Sequence, residues 1–157
     1  MLKTINAGLL RSDHIDKIVT LSGWVDRRRD HGNLVFIDLR DSTGIAQVVF
    51  DQIIDSNIHQ SASSLRSEWV IQITGMVRKR PDGTINNDLE TGQVEIIASS
   101  LTILNESKTP PFYINKEEDT DELLRMKYRY LDLRKPKMRN IVNVRHKAVK
   151  FIRDFLT

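Results

Sequence analysis

Apolar and polar residues alternate with period two through three successive stretches between residues 17 and 50. In KIVTLSGWVDR, Val19, Leu21 and Val25 fall on one side, and Thr20, Ser22, Trp24 and Asp26 on the other. NLVFIDLRD sets Val35, Ile37 and Leu39 against Phe36, Asp38 and Arg40. GIAQVVF follows the turn residues Asp41-Ser42-Thr43-Gly44. Strict alternation predicts strands with one buried and one wet face, the second and third joined as a hairpin. The pattern then changes. QIIDSNIHQSASSLRS places Ile54, Ile58, Ala62 and Leu65 along one side of a short helix. EWVIQITGMVRKR reads as a fourth strand with a bend or bulge at Gly75. PDGT is a turn, and GQVEIIASSLTIL a fifth strand.

Five antiparallel strands with a helix between the third and fourth predict an all-β OB-fold, a five-stranded Greek-key barrel. Sandwich and SH3-like arrangements remain open, and the inserted helix favours the OB-fold. Such barrels bind oligonucleotides on the face of strands two and three. No internal repeat is present. Asn105–Thr120 reads as a linker, because Pro110-Pro111 forbids helix and the charges are mixed. Asp119 with Glu122 resembles a capping box opening a helix over TDELLRMKYRYLDLR. A second helix starts at Pro136. In it Met138, Ile141, Val142, Ala148, Val149, Ile152 and Phe155 recur at helical spacing, an apolar stripe that calls for a partner surface.

Composition narrows the function classes. The chain has 157 residues and a formal charge of +3, with no cysteine to form disulfides or thiolate metal sites. No apolar run is long enough for a membrane span, and the N-terminus lacks a signal-peptide core, so cytoplasm is the default. Residues 1–105 hold 11 Lys+Arg against 13 Asp+Glu, whereas residues 106–157 hold 13 against 8. A nucleic-acid site in the barrel must therefore be local. Two basic clusters qualify, Arg27–Arg29 and Arg78–Arg80.

Phe36 is the sharpest single signal. With Val35, Ile37 and Leu39 inside, it points outward, where it can stack a nucleobase or pack under a loop. Gln47 points out on the neighbouring strand and offers a donor and an acceptor to a base edge. Arg27, Arg28 and Arg29 lie at the end of the first strand and enter its loop. Two of them are free to reach phosphate or a base while one pairs with Asp26 or Asp30. Arg78 and Arg80 share a face of the fourth strand, and Glu95 lies on the outer face of the fifth. His31-Gly32 forms the loop tip. No ligand-spaced cluster marks a metal site. No catalytic triad, phosphate-cradling loop or paired acids appear, so the residues describe a binder without catalytic groups of its own. A sequence-tolerant single-strand binder would show several interleaved aromatics. A protein-docking barrel would not need Gln47, Arg80 and Glu95 on one face.

GWVDRRRDHGNLVFIDLRDSTGIAQVVFD, SEWVIQITGMVRKRPDGTINND and RMKYRYLDLRKPKMRNIVNVRHKAVKFIRDFL together resemble the start of a bacterial-type aspartyl-tRNA synthetase, a class II enzyme. The resemblance runs through nearly the whole chain. It implies an anticodon-binding OB-fold over residues 1–104, a hinge over 105–120, and over 121–157 the helical start of the catalytic domain, cut within motif 1. Phe36 matches the aromatic that stacks on the central anticodon uridine, and Gln47 the amide that reads it. Arg29 matches an arginine at the anticodon; Arg80, Asn86 and Glu95 match residues around the third base and neighbouring backbone. Thr84 stands where some relatives carry Asn. His31 and Gly83 resemble the non-discriminating branch, which charges both tRNA-Asp and tRNA-Asn. The alternatives are a discriminating tRNA-Asp ligase or the sequence-tolerant binder. The parent enzyme would use ATP and Mg2+ and dimerise through motif 1. This stretch alone would not form aspartyl-adenylate.

Overall fold

The computed structural model describes residues 2–116 and 119–156, arranged as two compact units, Met1–Thr109 and Pro110–Thr157. The first unit is a closed barrel. Its strands are β1 (Ile18–His31), β2 (Leu34–Arg40), β3 (Ile45–Asp51), β4 (Val70–Lys79) and β5 (Val94–Asn105), with helix α1 (Ser56–Ser64) between β3 and β4. The strand order is β1-β2-β3-β5-β4, and β4 closes on β1. All pairings are antiparallel except β3–β5, where Val48 and Val49 run parallel to Ile96 and Ile97. This is the predicted OB-fold.

Val19, Leu21, Val25, Val35, Ile37, Leu39, Ala46, Val48 and Phe50 fill the barrel, as the alternation requires, together with Ile71, Ile73, Val77, Val94 and Ile96. Helix α1 closes one mouth with Ala62, and Leu65 follows it into the core. The helix is shorter than its sequence pattern. Asp55 accepts from the Asn57 and Ile58 amides and so fixes the start, which leaves Ile54 before the helix and exposed. A register shift between Thr74 and Gly75 places the extra residue, Ser99, on β5. Gly75 allows this close approach, since a Cβ there would overlap the Ile97 carbonyl and the Ile96 side chain.

The alternation does not reveal the N-terminal segment. Two short 3-10 turns, Ala7–Leu9 and Ser12–His14, bring Ala7 and Leu10 onto the core. Asp41 pins them there. Its carboxylate accepts from the Ala7 amide at 2.9 Å, from the Thr43 amide at 2.8 Å and hydroxyl at 2.7 Å, and pairs with Lys3. Burial raises the Asp41 pKa, but the Thr43 and Ala7 hydrogen bonds and Lys3 outweigh it and hold the group below its usual value.

In the second unit Phe112, Ile114 and Leu131 form a small core with Leu124 and Tyr128. The expected single helix over 120–134 is two pieces, α2 (Glu122–Lys127) and α3 (Arg129–Asp132), broken at Tyr128. Its cap is Asp121, which accepts from the Leu124 amide, in place of the Asp119–Glu122 box. Asp132 is fully buried and takes hydrogen bonds from Arg125 and Arg129. Helix α4 (Pro136–Leu156) buries none of its described residues, so its apolar stripe lies open. No described helix is long and apolar enough to cross a membrane.

Candidate nucleic-acid interface

One irregularity decides which arginines face outward. The β1–β2 register shifts between Val25 and Arg27, so Asp26 is an extra residue and the alternation inverts after it. Arg27 then pairs with Asp38, Arg29 with Phe36 and His31 with Leu34, all on the outer face. Arg28 pairs with Ile37 on the opposite face, donates to the Ser63 and Leu65 carbonyls at the end of α1, and makes an ion pair with Asp30. The three arginines thus belong to the strand and do not enter a loop; the turn is Gly32-Asn33, with Gly32 at φ +58°. His31 is the last strand residue. Asp26 is paired by Arg40 of β2, which also holds Glu68 through both carboxylate oxygens, at 2.6 and 2.8 Å.

Phe36 stands half-exposed on the outer face, between Arg29 on β1 and Val49 on β3. His31 meets it edge-on, with ring centroids 5.7 Å apart. Beside it runs a line of hydrogen bonds across all five strands. Arg29 donates to Asp38 Oδ1 at 2.6 Å and, through the same nitrogen, to Gln47 Oε1 at 3.4 Å. Gln47 Nε2 donates to Glu95 Oε2 at 2.8 Å. Arg78 grips Glu95 Oε1 with Nε at 2.8 Å and NH2 at 2.7 Å. Glu95 is buried to 2% exposure and Gln47 to 8%, so the amide expected to reach into solvent is built into the sheet surface. Because Arg29 only donates and Glu95 only accepts, the Gln47 amide has one allowed orientation.

Arg80 follows β4 and is buried to 4% exposure. Its Nε donates to the Val94 carbonyl at 3.1 Å and its NH1 reaches the Thr84 carbonyl. Burial pulls its pKa below the usual guanidinium value against the pull of Glu95 and Asp38. It does not share an exposed face with Arg78, as the strand pattern implied; Arg78 stays exposed while Arg80 turns inward. Arg80 NH2 and Arg29 Nε are buried without a hydrogen-bond partner. Arg29 faces the half-buried Phe36 across the strand pair, and stranded guanidinium donors are what a ligand with acceptor atoms would satisfy.

The β4–β5 loop holds the remaining predicted residues apart from this line. Asn86 Oδ1 accepts from the Asp88 amide at 3.0 Å, so that bond stays within its own loop. Thr84 donates to the Pro81 carbonyl. Gly83 has φ +85° with open space around it, so the turn itself asks for glycine there. Asp38 was visible in the sequence only as an outward polar residue. Its position opposite both Arg27 and Gln47 marks it as part of the site. Burial raises its pKa even against Arg29. Among the described residues, no group of three or more His, Cys, Asp or Glu is placed to hold a metal ion.

Residues 19–104 match the family model described as the OB-fold nucleic acid binding domain. The chain belongs to this family. Beyond this nucleic acid binding domain, residues 121–157 match the model described as class II tRNA synthetases (D, K and N). An aspartate–tRNA(Asp/Asn) ligase of Heliobacterium modesticaldum is 52% identical over 149 residues, 95% of this chain and 25% of that protein. A ligase of the same name from Dehalococcoides mccartyi is 52% identical over 156 residues, 99% of this chain and 26% of that one. The chain therefore spans about a quarter of the length of these relatives. In fold it is similar to an asparaginyl-tRNA synthetase from Pyrococcus horikoshii complexed with asparaginyl-adenylate. That likeness has a TM-score of 0.82 at 24% identity and covers 99% of this chain and 34% of that one. The OB-fold alone also resembles an OBody bound to hen egg-white lysozyme, with a TM-score of 0.58 at 22% identity, over 67% of this chain and 95% of that one.

Proposed function

We propose that the β1–β2–β3–β5 face reads the anticodon loop of tRNA-Asp and tRNA-Asn, as part of a cytoplasmic aspartate–tRNA ligase. The observation that carries this reading is a pair of stranded donors: Arg29 Nε, directly across the strand pair from the half-buried Phe36, and Arg80 NH2, just beyond β4. A single-stranded loop supplies what both lack: a base to stack on Phe36, and carbonyl or phosphate oxygens for the guanidinium groups. Gln47, fixed between Arg29 and Glu95, keeps one amide hydrogen and one lone pair for the edge of the stacked base. Asp38 and Glu95 repel phosphate and accept N–H groups, which favours base edges over bare backbone at the floor of the site.

Acceptance of both tRNAs is supported by the names of the relatives, and this reading assigns His31, which meets Phe36 edge-on, a part in it. Gly83 and Asn86 enter this reading as loop residues near the third base. Activation of aspartate with ATP and Mg2+, and dimerisation through the region of α4, are assigned to the longer parent enzyme. No residue of this chain is given a catalytic role.

The test is titration of the chain with four RNA stem-loops carrying GUC, GUU, GAC and an unrelated loop. Similar affinity for GUC and GUU, with rejection of the other two, is the expected result. Binding of GUC alone removes the dual specificity. Equal binding of all four removes anticodon reading and leaves a sequence-tolerant binder.

A further inference from the structure

We propose that Asp38 is a positioning residue for base reading: its carboxylate holds the Arg29 guanidinium where it meets the Gln47 amide, and so fixes the edge that Gln47 presents. This rests on the anticodon reading above. Asp38 and Gln47 are direct cross-strand neighbours, yet the bond between them runs through Arg29, whose NH2 serves Asp38 at 2.6 Å and Gln47 at 3.4 Å. The short bond is the anchor and the long one the adjustable contact. Without the carboxylate, the Arg29 side chain, part-exposed and carrying an unpartnered Nε, has no fixed place. The Gln47 amide then keeps only Glu95 to orient it.

The energetics separate this role from a structural one. Burial drives the Asp38 pKa up, with Asp26 acting in the same direction, and Arg29, Arg27 and Arg80 do not compensate. A carboxyl group with a raised folded-state pKa stabilises the fold only at pH values below its unfolded pKa. As pH rises through the folded value, ionisation costs stability. At neutral pH the Asp38 charge therefore works against folding, and its pairing with Arg29 serves the surface of the site.

The experiment is Asp38→Asn, which keeps shape and one acceptor oxygen but removes the charge, measured on the full chain with GUC and GCC stem-loops. The ion pair is replaced by a weaker bond from the guanidinium to a neutral amide oxygen, so discrimination against the altered central base should fall by roughly fivefold. The thermal midpoint at neutral pH should match or exceed that of the wild type. In an Arg29→Ala background, Asp38→Asn should change discrimination no further, because the residue acts through Arg29. A variant that melts below wild type, or an equal loss in both backgrounds, overturns the positioning role. Undiminished discrimination by Asp38→Asn, with a wild type that discriminates, overturns this proposal alone. A wild type that binds no stem-loop removes the anticodon reading and this proposal together.

Discussion

Replacing Phe36 by Ala separates the interface from the fold. The barrel interior is built by Val35, Ile37 and Leu39, so removal of the ring leaves the core intact. Full burial of a Phe would make this substitution cost about 3–5 kcal/mol. Phe36 is only half-buried and meets the His31 ring edge-on, so the expected stability loss is about 1–2 kcal/mol. Loss of base stacking should cost about 1–3 kcal/mol of binding, or roughly 5- to 150-fold in affinity. Fluorescence anisotropy with a labelled GUC stem-loop gives the second quantity, and thermal melting followed by circular dichroism gives the first. Phe36→Tyr keeps the ring face and should retain most of the affinity. An Ala variant that melts a little lower but binds as tightly as the wild type would refute the stacking argument, because Phe36 would then serve only to cover its neighbours. A variant that loses binding in proportion to lost folded protein would refute it too.

Three further outcomes are expected. Asp41→Asn should lower stability at neutral pH. The Asp41 pKa is depressed in the folded state, so its contribution exists above the unfolded value and is lost as pH falls through the folded one. The gap between variant and wild type in urea midpoints should therefore close in acid, and a gap that widens in acid contradicts the assignment. Gly75→Ala places a Cβ against the Ile97 carbonyl and should cost about 2 kcal/mol or more, with an unchanged urea m-value; a neutral result would mean that β5 can yield. Arg27→Ala removes an exposed charge from the outer face beside Arg29. It should reduce the slope of log affinity against log salt by about 0.7, and an unaltered slope means that Arg27 touches no phosphate.

Much of the barrel was legible because one face of each strand is buried, and burial writes itself as alternation. The core of β1 through β3 follows from that rule, the helix before β4 shows as a change of period, and the irregularity near Gly75 is marked by the glycine itself. Three things did not. The N-terminal turns hold the core with Ala7 and Leu10, two residues too few to make a period. Helix α1 begins at Asp55 because capping outweighs the apolar pattern that reached back to Ile54. The Asp26 bulge inverts the strand without altering its composition, so three consecutive arginines looked like a loop. Within the site, Phe36 and Gln47 could be placed by alternation. The links from Arg29 to Asp38 and from Gln47 to Glu95 depend on cross-strand register, which a single strand's pattern does not contain.

That bulge also gives the hairpin arm a parity. Every residue from Arg27 to His31 owes its side of the sheet to one additional position, Asp26. Removing a residue there, with the pairing beyond it realigned, would send Arg28 to the face of Phe36 and turn Arg27 and Arg29 toward the barrel mouth. The end of α1 would lose the guanidinium that binds its carbonyls. Composition, net charge and strand length would hardly change. Insertions and deletions at this position are therefore more dangerous to function than most substitutions along the arm. Sequences that align there without a gap carry more information about a shared binding face than their percentage identity expresses.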